Sequence, residues 1–400
     1  MPLNEILQFL VDNDNLDLLE IQQKMQMEKE REIINNHSYK VWEGSNGKWY
    51  TYLPDDTKTR KKKLVKRNTQ EDIENAILDY YGKPKVETVK DVFDLWLNKR
   101  VENNEIAMAT VNRYQRDYKR YYAGTDFENK PISLIGERDV EDFIMTTIHK
   151  MNMNRKNWAN MMTITNGIFK YARRNGMIDF NIVDVTLNLE MPKNEFVSKR
   201  KIDEEQVFLV EEEKLMCDYL NTHKDIINLA LLLMFKTGLR VGELCTLKKI
   251  DFVGNSVEVY RTETTYTDFD GHIHHDVKES PKTEAGFRKV IIPRDCMWIV
   301  EKILDNEPEN EWAFSIDNKR LPAHRFRERL YQNCEKLNLN KRSPHKVRKT
   351  YGSKLYDSEL PKSIICRQMG HTDISCLEKY YYFNRNSFDE TEELINQVGI

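Results

Sequence analysis

The six cysteines of this 400-residue chain are scattered, and no two of them form a Cys-x-x-Cys pair. Neither a zinc site nor a disulfide framework is indicated, so a reducing compartment is expected. No apolar run reaches the length of about 18 residues needed to span a membrane. The first residues also lack the basic-then-apolar order of a signal peptide, and no Gly-rich phosphate loop is present. We therefore expect a soluble cytoplasmic protein that uses no metal, ATP or other cofactor and does not bind a membrane.

The chain also lacks a large excess of one charge. Lys and Arg number 62 against 65 Asp and Glu, which leaves a formal net charge of -3. A uniformly basic surface is thereby excluded, and any contact with nucleic acid must come from local basic patches. At roughly 150 residues per domain, the length predicts two or three domains.

The N-terminal part of the chain contains two segments of different type. Residues 1–37 show helical periodicity with acidic residues in excess, which predicts accessory helices that stay off DNA. Residues 38–83 predict a module of three strands and one helix. Asn46-Gly47 between two aromatic runs is a strong hairpin signal because both positions tolerate positive φ, and Thr69 can cap the helix that follows.

A dense run of positive charge lies in the predicted third strand of this module. Seven of the ten residues between Lys58 and Arg67 are Lys or Arg, next to aromatic strands. A solvated edge that discourages strand pairing is one interpretation. The other is a sheet that docks on DNA and places these cations on phosphates. The candidate DNA-binding residues are Lys58, Arg60, Lys61, Lys62, Lys63, Lys66 and Arg67.

Residues 87–185 predict a domain of four amphipathic helices. The second helix carries four cations beside three tyrosines, so its polar face either is merely solvated or contacts DNA phosphates. Those cations are Arg113, Arg116, Lys119 and Arg120. Residues 186–205 contain Pro192 and mixed charge without periodicity, which predicts a linker.

Residues 206–383 predict a mainly helical domain with a small sheet. The nearly all-apolar stretch Ile226–Phe235 should be a buried helix, and strands are expected at Ser256–Thr262 and Arg288–Ile292. The His-rich stretch 272–276 between these strands could indicate a metal, but its Gly- and Asp-rich setting favours a solvated hairpin loop. The whole chain is thus expected to be a multidomain α+β protein.

The stretch Ser343–Tyr382 concentrates side chains suited to chemistry. His345 and Arg348 are three residues apart and would share one helix face. His371 follows a glycine, and three consecutive tyrosines come soon after. A tyrosine can act as a covalent nucleophile, although its usual pKa near 10 means that it needs help to lose its proton. A nucleophile, proton carriers and a guanidinium together indicate phosphoryl transfer without a metal.

These residues are spaced as in a known family. His345-x-x-Arg348, then Gly370-His371, then Tyr380 nine residues after the second histidine resemble the C-terminal signature of the tyrosine recombinases, the phage integrase family. Each motif alone is common. Their order and spacing make the resemblance specific, and it covers about half of the chain closely and most of the rest loosely.

Two upstream boxes appear in the order that the family has. Thr237–Leu244 resembles the first-arginine box, and Pro281–Thr283 followed by Arg288–Pro293 resembles the hairpin that carries the catalytic lysine. The resemblance implies that Arg240 and Arg348 clamp the non-bridging oxygens of a scissile phosphodiester, with Glu243 as a supporting residue that orients nearby groups.

The remaining implied roles concern protons. Lys282 would protonate the leaving 5′ oxygen, with Lys278 and Lys289 as nearby rivals. His345 would accept a proton or a hydrogen bond near the nucleophile, and His371 would hold a non-bridging oxygen. A satisfied core histidine is the alternative interpretation for each.

Three tyrosines compete for the role of nucleophile. The spacing in the family favours Tyr380, with Tyr381 and then Tyr382 as alternatives. Because successive helical residues point about 100° apart, only one of the three can face the phosphate. The family often has Thr between the histidine and the tyrosine, where this chain has Ser375-Cys376-Leu377, a difference that affects packing more than chemistry.

The resemblance implies an arm-type DNA-binding domain at 38–83, a core-binding helical domain at 87–185 and a catalytic domain at 206–383. The chain would cleave and rejoin double-stranded DNA at core and arm attachment sites through a 3′-phosphotyrosine. It would thereby integrate or excise a prophage or conjugative transposon. Tetramers on DNA are implied, with a tail helix at 384–400 packed on a neighbour, and an excisionase and a host DNA-bending protein are further partners. The rival functions are a type IB topoisomerase-like enzyme and a non-catalytic DNA-binding protein.

Overall fold

A computed structural model describes residues 18–55, 60–82, 86–189, 191, 196–197, 202–279, 286–371 and 381–398, with side chains from residue 23 onward. The chain divides into a first unit, Met1–Ser198, and a second unit, Lys199–Ile400, and each is described by itself. Both helices and small sheets occur, so the predicted α+β class is confirmed. Within these described ranges, no helix is both long and apolar enough to cross a membrane.

The described part of the first unit begins with a helix, a three-stranded antiparallel sheet and a second helix, as predicted. Their bounds are α1 Leu18–Asn35, β1 Trp42–Glu43, β2 Trp49–Pro54, β3 Lys62–Arg67 and α2 Gln70–Tyr81. Gly47 takes positive φ of 69° at the β1–β2 turn, and the Thr69 hydroxyl caps α2. One face of the sheet buries Thr51 and Val65, which pair across β2 and β3, on the side of the α2 residue Ile73.

The rest of the first unit is helical. Its helices are α3 Val89–Glu102, α4 Met108–Tyr121, α5 Asp126–Asn129, α6 Glu137–Met151, α7 Arg155–Arg174 and α8 Ile182–Asn188. The N-cap position of helix α4 is Ala107, which makes no side-chain capping bond. Gly167 of α7 lets the Trp96 ring approach so closely that an added Cβ would lie 2.3 Å from it.

The second unit is built around one buried helix. The helices are α9 Asp203–Gln206, α10 Val210–Thr222, α11 Ile226–Thr237, α12 Val241–Leu244, α13 Met297–Leu304, α14 Ala323–Lys336, α15 Pro344–Asp357, α16 Lys362–Met369 and α17 Phe388–Val398. Nearly every side chain of α11 is buried, as its apolar sequence predicted, and it packs on α10, α13, α14 and α15. This helix ends at Thr237, the first residue of the first-arginine box.

The strands of the second unit correct one prediction. They are β4 Phe252–Val253, β5 Ser256–Val259, β6 Thr262–Thr267, β7 Ile273–Lys278, β8 Arg288–Ile291, β9 Ser315–Ile316 and β10 Lys319–Arg320. Strands β4, β5 and β8 form one sheet, and β9 pairs with β10. The predicted loop between β5 and β8 instead contains the β6–β7 hairpin, in which His274 and His275 are strand residues. The Thr- and Tyr-rich β6 favours pairing, and Gly271 takes the positive φ that the turn needs.

Candidate active site

The turn between α11 and α12 presents Arg240. Gly238 ends α11 with a φ of 64°, and an added Cβ there would lie 2.3 Å from the Tyr351 ring. Arg240 follows as the N-cap position of α12. Its backbone N–H donates to Glu243 Oε2 at 2.9 Å, and its Nη1 donates to Glu243 Oε1 at 2.7 Å. Its Nη2 donates to the Gly370 carbonyl at 3.3 Å. The side chain is still 39% exposed, so the guanidinium can meet a ligand from solvent.

Glu243 also binds a second arginine, from β8. Arg288 Nη2 donates to Glu243 Oε2 at 2.9 Å and Arg288 Nη1 donates to Oε1 at 3.0 Å. Both side chains are almost fully buried. Burial raises the pKa of Glu243, but the hydrogen bond and charge of Arg288, together with Arg240 and Arg348, outweigh it and lower the pKa to about 2. The carboxylate is therefore ionised at neutral pH.

Helix α15 begins at Pro344 and places His345 and Arg348 one turn apart, as predicted. Arg348 is fully buried. Its Nη1 donates to the Gly238 carbonyl at 2.6 Å, and its Nη2 donates to the Met369 carbonyl. Its Nε has no partner among the described residues. Burial and then the charge of Arg240 lower its pKa to about 10, so it stays protonated at neutral pH.

Gly370 ends α16 in the left-handed conformation, and this turn carries His371 back to Arg348. Arg348 Nη2 lies 3.0 Å from His371 Nε2. Because a guanidinium can only donate, Nε2 accepts, and a neutral ring then carries its proton on Nδ1. Nδ1 is buried and has no partner in the described part of the chain. It is thus a donor without a partner in these residues, as is the Nε of Arg348.

Both histidines are held neutral by their surroundings. Burial lowers the pKa of His371 to about 3, and the charge of Arg348 adds to the effect. Burial, Lys349 and Arg348 lower the pKa of His345 to about 4. A third arginine, Arg288, adds to the positive field at His371. Three guanidiniums surround one carboxylate, which leaves an excess of positive charge suited to an anionic ligand.

Of the two tyrosines that the structure describes, Tyr381 lies among these groups. Its ring centroid is 4.3 Å from that of His371 and 5.6 Å from that of His345, and the Arg348 guanidinium carbon is 5.6 Å from the ring centroid. Tyr382 is 47% exposed and stacks on Tyr356. Two proposed catalytic residues, Lys282 and Tyr380, lie outside the described residues. The choice of Tyr380 as nucleophile therefore stays a prediction, with Tyr381 as its rival.

The described candidates for DNA binding in the first unit are exposed, except Lys62, which is half-buried. In β3, Lys62 and Lys66 alternate with Val65, so they share the outer face with Tyr50 and Tyr52. Lys62 Nζ lies 4.2 Å from the Tyr52 ring centroid. The other described cations of this run and all four of α4 are exposed, namely Arg60, Lys61, Lys63, Arg67, Arg113, Arg116, Lys119 and Arg120. Lys58 lies outside the described residues.

One group at the β6–β7 tip has metal-ligand geometry. Atoms of Asp268, Asp270 and His272 lie within 4.8 Å of one another. However, Asp268 already accepts from the backbone N–H groups of Asp270 and His272 and from the His274 side chain at 2.6 Å. The carboxylate therefore has a structural role in closing the hairpin, and the group carries no metal assignment.

The sequence interpretation missed two side chains that support the site. Arg288 was recognised only as part of a motif, and its bond to Glu243 joins residues 45 positions apart. Gln368 was not singled out, although its side chain bonds the backbone of Ile291 in β8. A signal for Arg288 existed, because an arginine in a predicted strand needs an acidic partner when its side chain is buried.

Comparison with known proteins agrees with this geometry. Residues 206–387 match the model of the phage integrase family. A XerC-like tyrosine recombinase from Caldanaerobacter subterraneus subsp. tengcongensis is 23% identical over 74% of this chain and 78% of its own length. A tyrosine recombinase from Thermosipho africanus is also 23% identical, over 71% of this chain and 93% of its own length.

Solved structures share the fold. The Tn1549 transposon integrase in complex with circular intermediate DNA is 16% identical, with a TM-score of 0.56, and the match covers 77% of this chain and 99% of that one. A lambda integrase tetramer bound to a Holliday junction matches with a TM-score of 0.52 at 16% identity, over 87% of this chain and 95% of that one. At this identity the likeness establishes the fold alone.

Proposed function

We propose that this chain is a tyrosine recombinase that integrates and excises a mobile genetic element, since residues 206–387 match the model of the phage integrase family. The element is a prophage or a conjugative transposon, and the recognised DNA carries core and arm attachment sites. The separate sheet module with its basic outer face supports the arm-site contact, since the cations lie on an exposed surface beside aromatic rings.

The observation that carries this proposal is the excess of guanidinium groups at Glu243. Among the described residues, Arg240 and Arg348 each find acceptors for only some of their five N–H donors. The free donors, with Nδ1–H of His371, are matched to the non-bridging oxygens of a phosphodiester. Their fixed charge stabilises the additional negative charge of the pentavalent transition state, and no solvent has to reorganise during the reaction.

We propose the following reaction. The Tyr380 oxygen attacks the scissile phosphorus and its proton passes to His345, which is neutral at pH 7. The bond from phosphorus to the 5′ oxygen breaks, and Lys282 protonates that oxygen. The 3′-phosphotyrosyl link keeps the energy of the phosphodiester, so a 5′ hydroxyl from a partner strand can reverse the step without ATP.

The domain division follows the same proposal. Residues 38–83 act as the arm-type domain, 87–185 as the core-binding domain and 206–383 as the catalytic domain, with 186–205 as the linker and 1–37 as an accessory segment. Four copies assemble on DNA, as in the lambda integrase structure. Helix α17 exposes Phe388, Leu394 and Ile395, which supports docking of this tail on a neighbouring copy. An excisionase and a host DNA-bending protein would set the direction.

Trapping on nicked duplex DNA that carries the element's end tests this function. The natural chain should form a denaturation-resistant protein–DNA adduct, and Tyr380→Phe alone among the single Phe variants of Tyr380, Tyr381 and Tyr382 should abolish it. Loss with Tyr381→Phe instead would reassign the nucleophile. If the natural chain forms no adduct, the catalytic proposal fails in favour of DNA binding alone. Joining of two separate sites excludes a topoisomerase that only relaxes supercoils.

A further inference from the structure

Arg288 contacts three separate parts of the second unit from a single buried position. Its two terminal nitrogens bond both oxygens of Glu243, at 3.0 and 2.9 Å. Its Nε donates to the Gln368 carbonyl at 3.1 Å, and its Nη1 also reaches the Gly286 carbonyl at 3.3 Å. The side chain is only 3% exposed. Each of its three side-chain nitrogens thus donates to the protein, whereas the Nε of Arg348 has no partner among the described residues. Arg288 is therefore a supporting group and not a ligand for DNA.

The contact with Gln368 joins β8 to the end of α16. Gln368 Oε1 accepts from the Ile291 backbone N–H at 3.0 Å, and its Nε2 donates to the Ile291 carbonyl at 2.9 Å. The amide thus pairs with β8 much as a neighbouring strand would. His371 follows Gln368 by three residues, so β8 and Arg288 hold the helix end from which His371 is presented.

The contact with Glu243 affects how Arg240 is presented. Glu243 Oε1 accepts from both Arg240 Nη1 and Arg288 Nη1, and Oε2 accepts from the Arg240 backbone and Arg288 Nη2. Arg288 therefore fixes the plane of the carboxylate. Without it, a buried carboxylate would have Arg240 as its remaining side-chain partner and would draw that guanidinium into a two-pronged pair. The donors of Arg240 would then be turned away from a ligand.

We propose that Arg288 is a positioning residue for strand cleavage. It orients Glu243 so that Arg240 keeps free N–H groups for the scissile phosphate, and it anchors the α16 end that presents His371. The role rests on the proposed function, because it requires that Arg240 and His371 bind a phosphate. Only an arginine can fill it, since bonding Glu243 through two nitrogens and the Gln368 carbonyl through a third requires the planar fork.

The test compares Arg288→Met and Arg288→Lys with the natural chain in the adduct assay on nicked DNA carrying the element's end. Arg288→Lys keeps a charge for Glu243 but loses the fork. Cleavage at saturating DNA should fall about 100-fold for Met, the loss typical of one misplaced oxyanion donor, and about 10-fold for Lys. DNA binding should change less than about threefold. Arg294→Met is the matched control, because Arg294 is exposed and lies just after β8.

A second substrate separates positioning from general damage. A methylphosphonate at the scissile position replaces one charged oxygen with a methyl group and so reduces the need for Arg240. On this substrate the cleavage rate of Arg288→Met should come within about threefold of the natural chain's rate, and the same is expected of Arg240→Met. A guanidinium that stabilises a negative charge contributes less when the substrate lacks that charge. An equal deficit on both substrates, or full activity of Arg288→Met on the phosphate, would overturn the proposal.

Folding and the underlying function are checked in the same experiment. If thermal denaturation shows that Arg288→Met is unfolded, the two substrates are compared with Arg288→Lys instead. An equal loss of cleavage rate on both substrates, or full activity on the phosphate, would again overturn the proposal. Absence of any adduct with the natural chain overturns the proposed function and this role with it. An adduct with the natural chain, but no selective effect of Arg288, overturns this role alone.

Discussion

The chain places positive charge in two contrasting settings. The cations of β3 are mostly exposed, and Lys62 rests its ammonium 4.2 Å from the Tyr52 ring centroid. The arginines around Glu243 are held by the protein, since Arg348 is fully buried and Arg288 shares the buried Glu243 with Arg240. Both sets are candidates for contact with DNA phosphates, but only the arginines around Glu243 are held in a fixed geometry.

This difference separates affinity from catalysis. An exposed ammonium acts as a mobile point charge, so it contributes to binding through counterion release and can be replaced by another cation. Burying a guanidinium costs desolvation free energy but fixes the direction of its N–H donors. Fixed donors contribute to catalysis where negative charge develops at a defined atom. We therefore expect substitutions in β3 to change binding and substitutions around Glu243 to change rate.

Replacing Arg348 by Lys should have the largest effect. The ammonium keeps the charge but cannot bond the Gly238 carbonyl and His371 and still face a phosphate. Cleavage of nicked DNA in a single turnover should fall by roughly 100- to 1,000-fold while DNA binding stays within a few-fold. The matched control is Lys63→Arg in β3, which should leave the cleavage rate unchanged. A similar rate for Arg348→Lys and the natural chain would show that charge alone suffices.

Gly238→Ala should destabilise the second unit strongly. The backbone has a φ of 64°, and the added Cβ would lie 2.3 Å from Tyr351. Strain and the clash together should cost about 3 kcal/mol of the free energy of unfolding. Gly47→Ala in the first unit is the matched control, because its φ is 69° but nothing lies within 4 Å. It should cost only about 1 kcal/mol. Equal losses in urea denaturation would contradict the packing argument.

The free energy of unfolding should fall as the pH decreases from about 6.5. The pKa is lowered to about 4 for His345 and about 3 for His371, whereas histidines in an unfolded chain titrate near 6.5. Between these values the unfolded chain binds more protons, so acid favours unfolding. The double variant His345→Gln/His371→Gln should lose less thermal stability between pH 7 and 5.

Glu243 sets a lower limit to that pH window. Its pKa is lowered to about 2, mainly by the Arg288 bond working against burial, so its contribution to the free energy of unfolding is present above about 4.5 and is lost below that value.

An equal loss of stability in the natural chain and the double histidine variant between pH 7 and 5 would show that the two rings are not held neutral.

The smallest effects should come from single cations of β3. Lys66→Gln should reduce the slope of log binding constant against log salt by about 0.9, the value for one phosphate contact, and leave the cleavage rate at saturating DNA unchanged. Filter binding of an arm-site duplex at several salt concentrations measures the slope. The matched control Lys40→Gln lies before β1, outside the basic strand. An unchanged slope for Lys66→Gln would support the solvated-edge interpretation.

Local signals in the sequence predicted the elements well. The Asn-Gly hairpin, the Thr69 cap and the buried helix before Arg240 all rest on interactions within a few residues, and all three are confirmed. The predicted loop between β5 and β8 was wrong because strand pairing in β6–β7 outweighed the polar composition of its tip. A two-stranded hairpin depends on which residues pair across its strands, and composition does not reveal that pairing.

The same distinction between local signals and long-range contacts applies to the active site. The sequence by itself determined that His345 and Arg348 share a helix face, because three residues make nearly one helical turn. The order of its motifs carried the resemblance to the tyrosine recombinases. Only the tertiary structure decided that Arg288 shares Glu243 with Arg240 and that Gln368 pairs with β8. Those contacts join distant positions, and burial decides their strength, since a charge removed from water needs a partner wherever along the chain that partner lies.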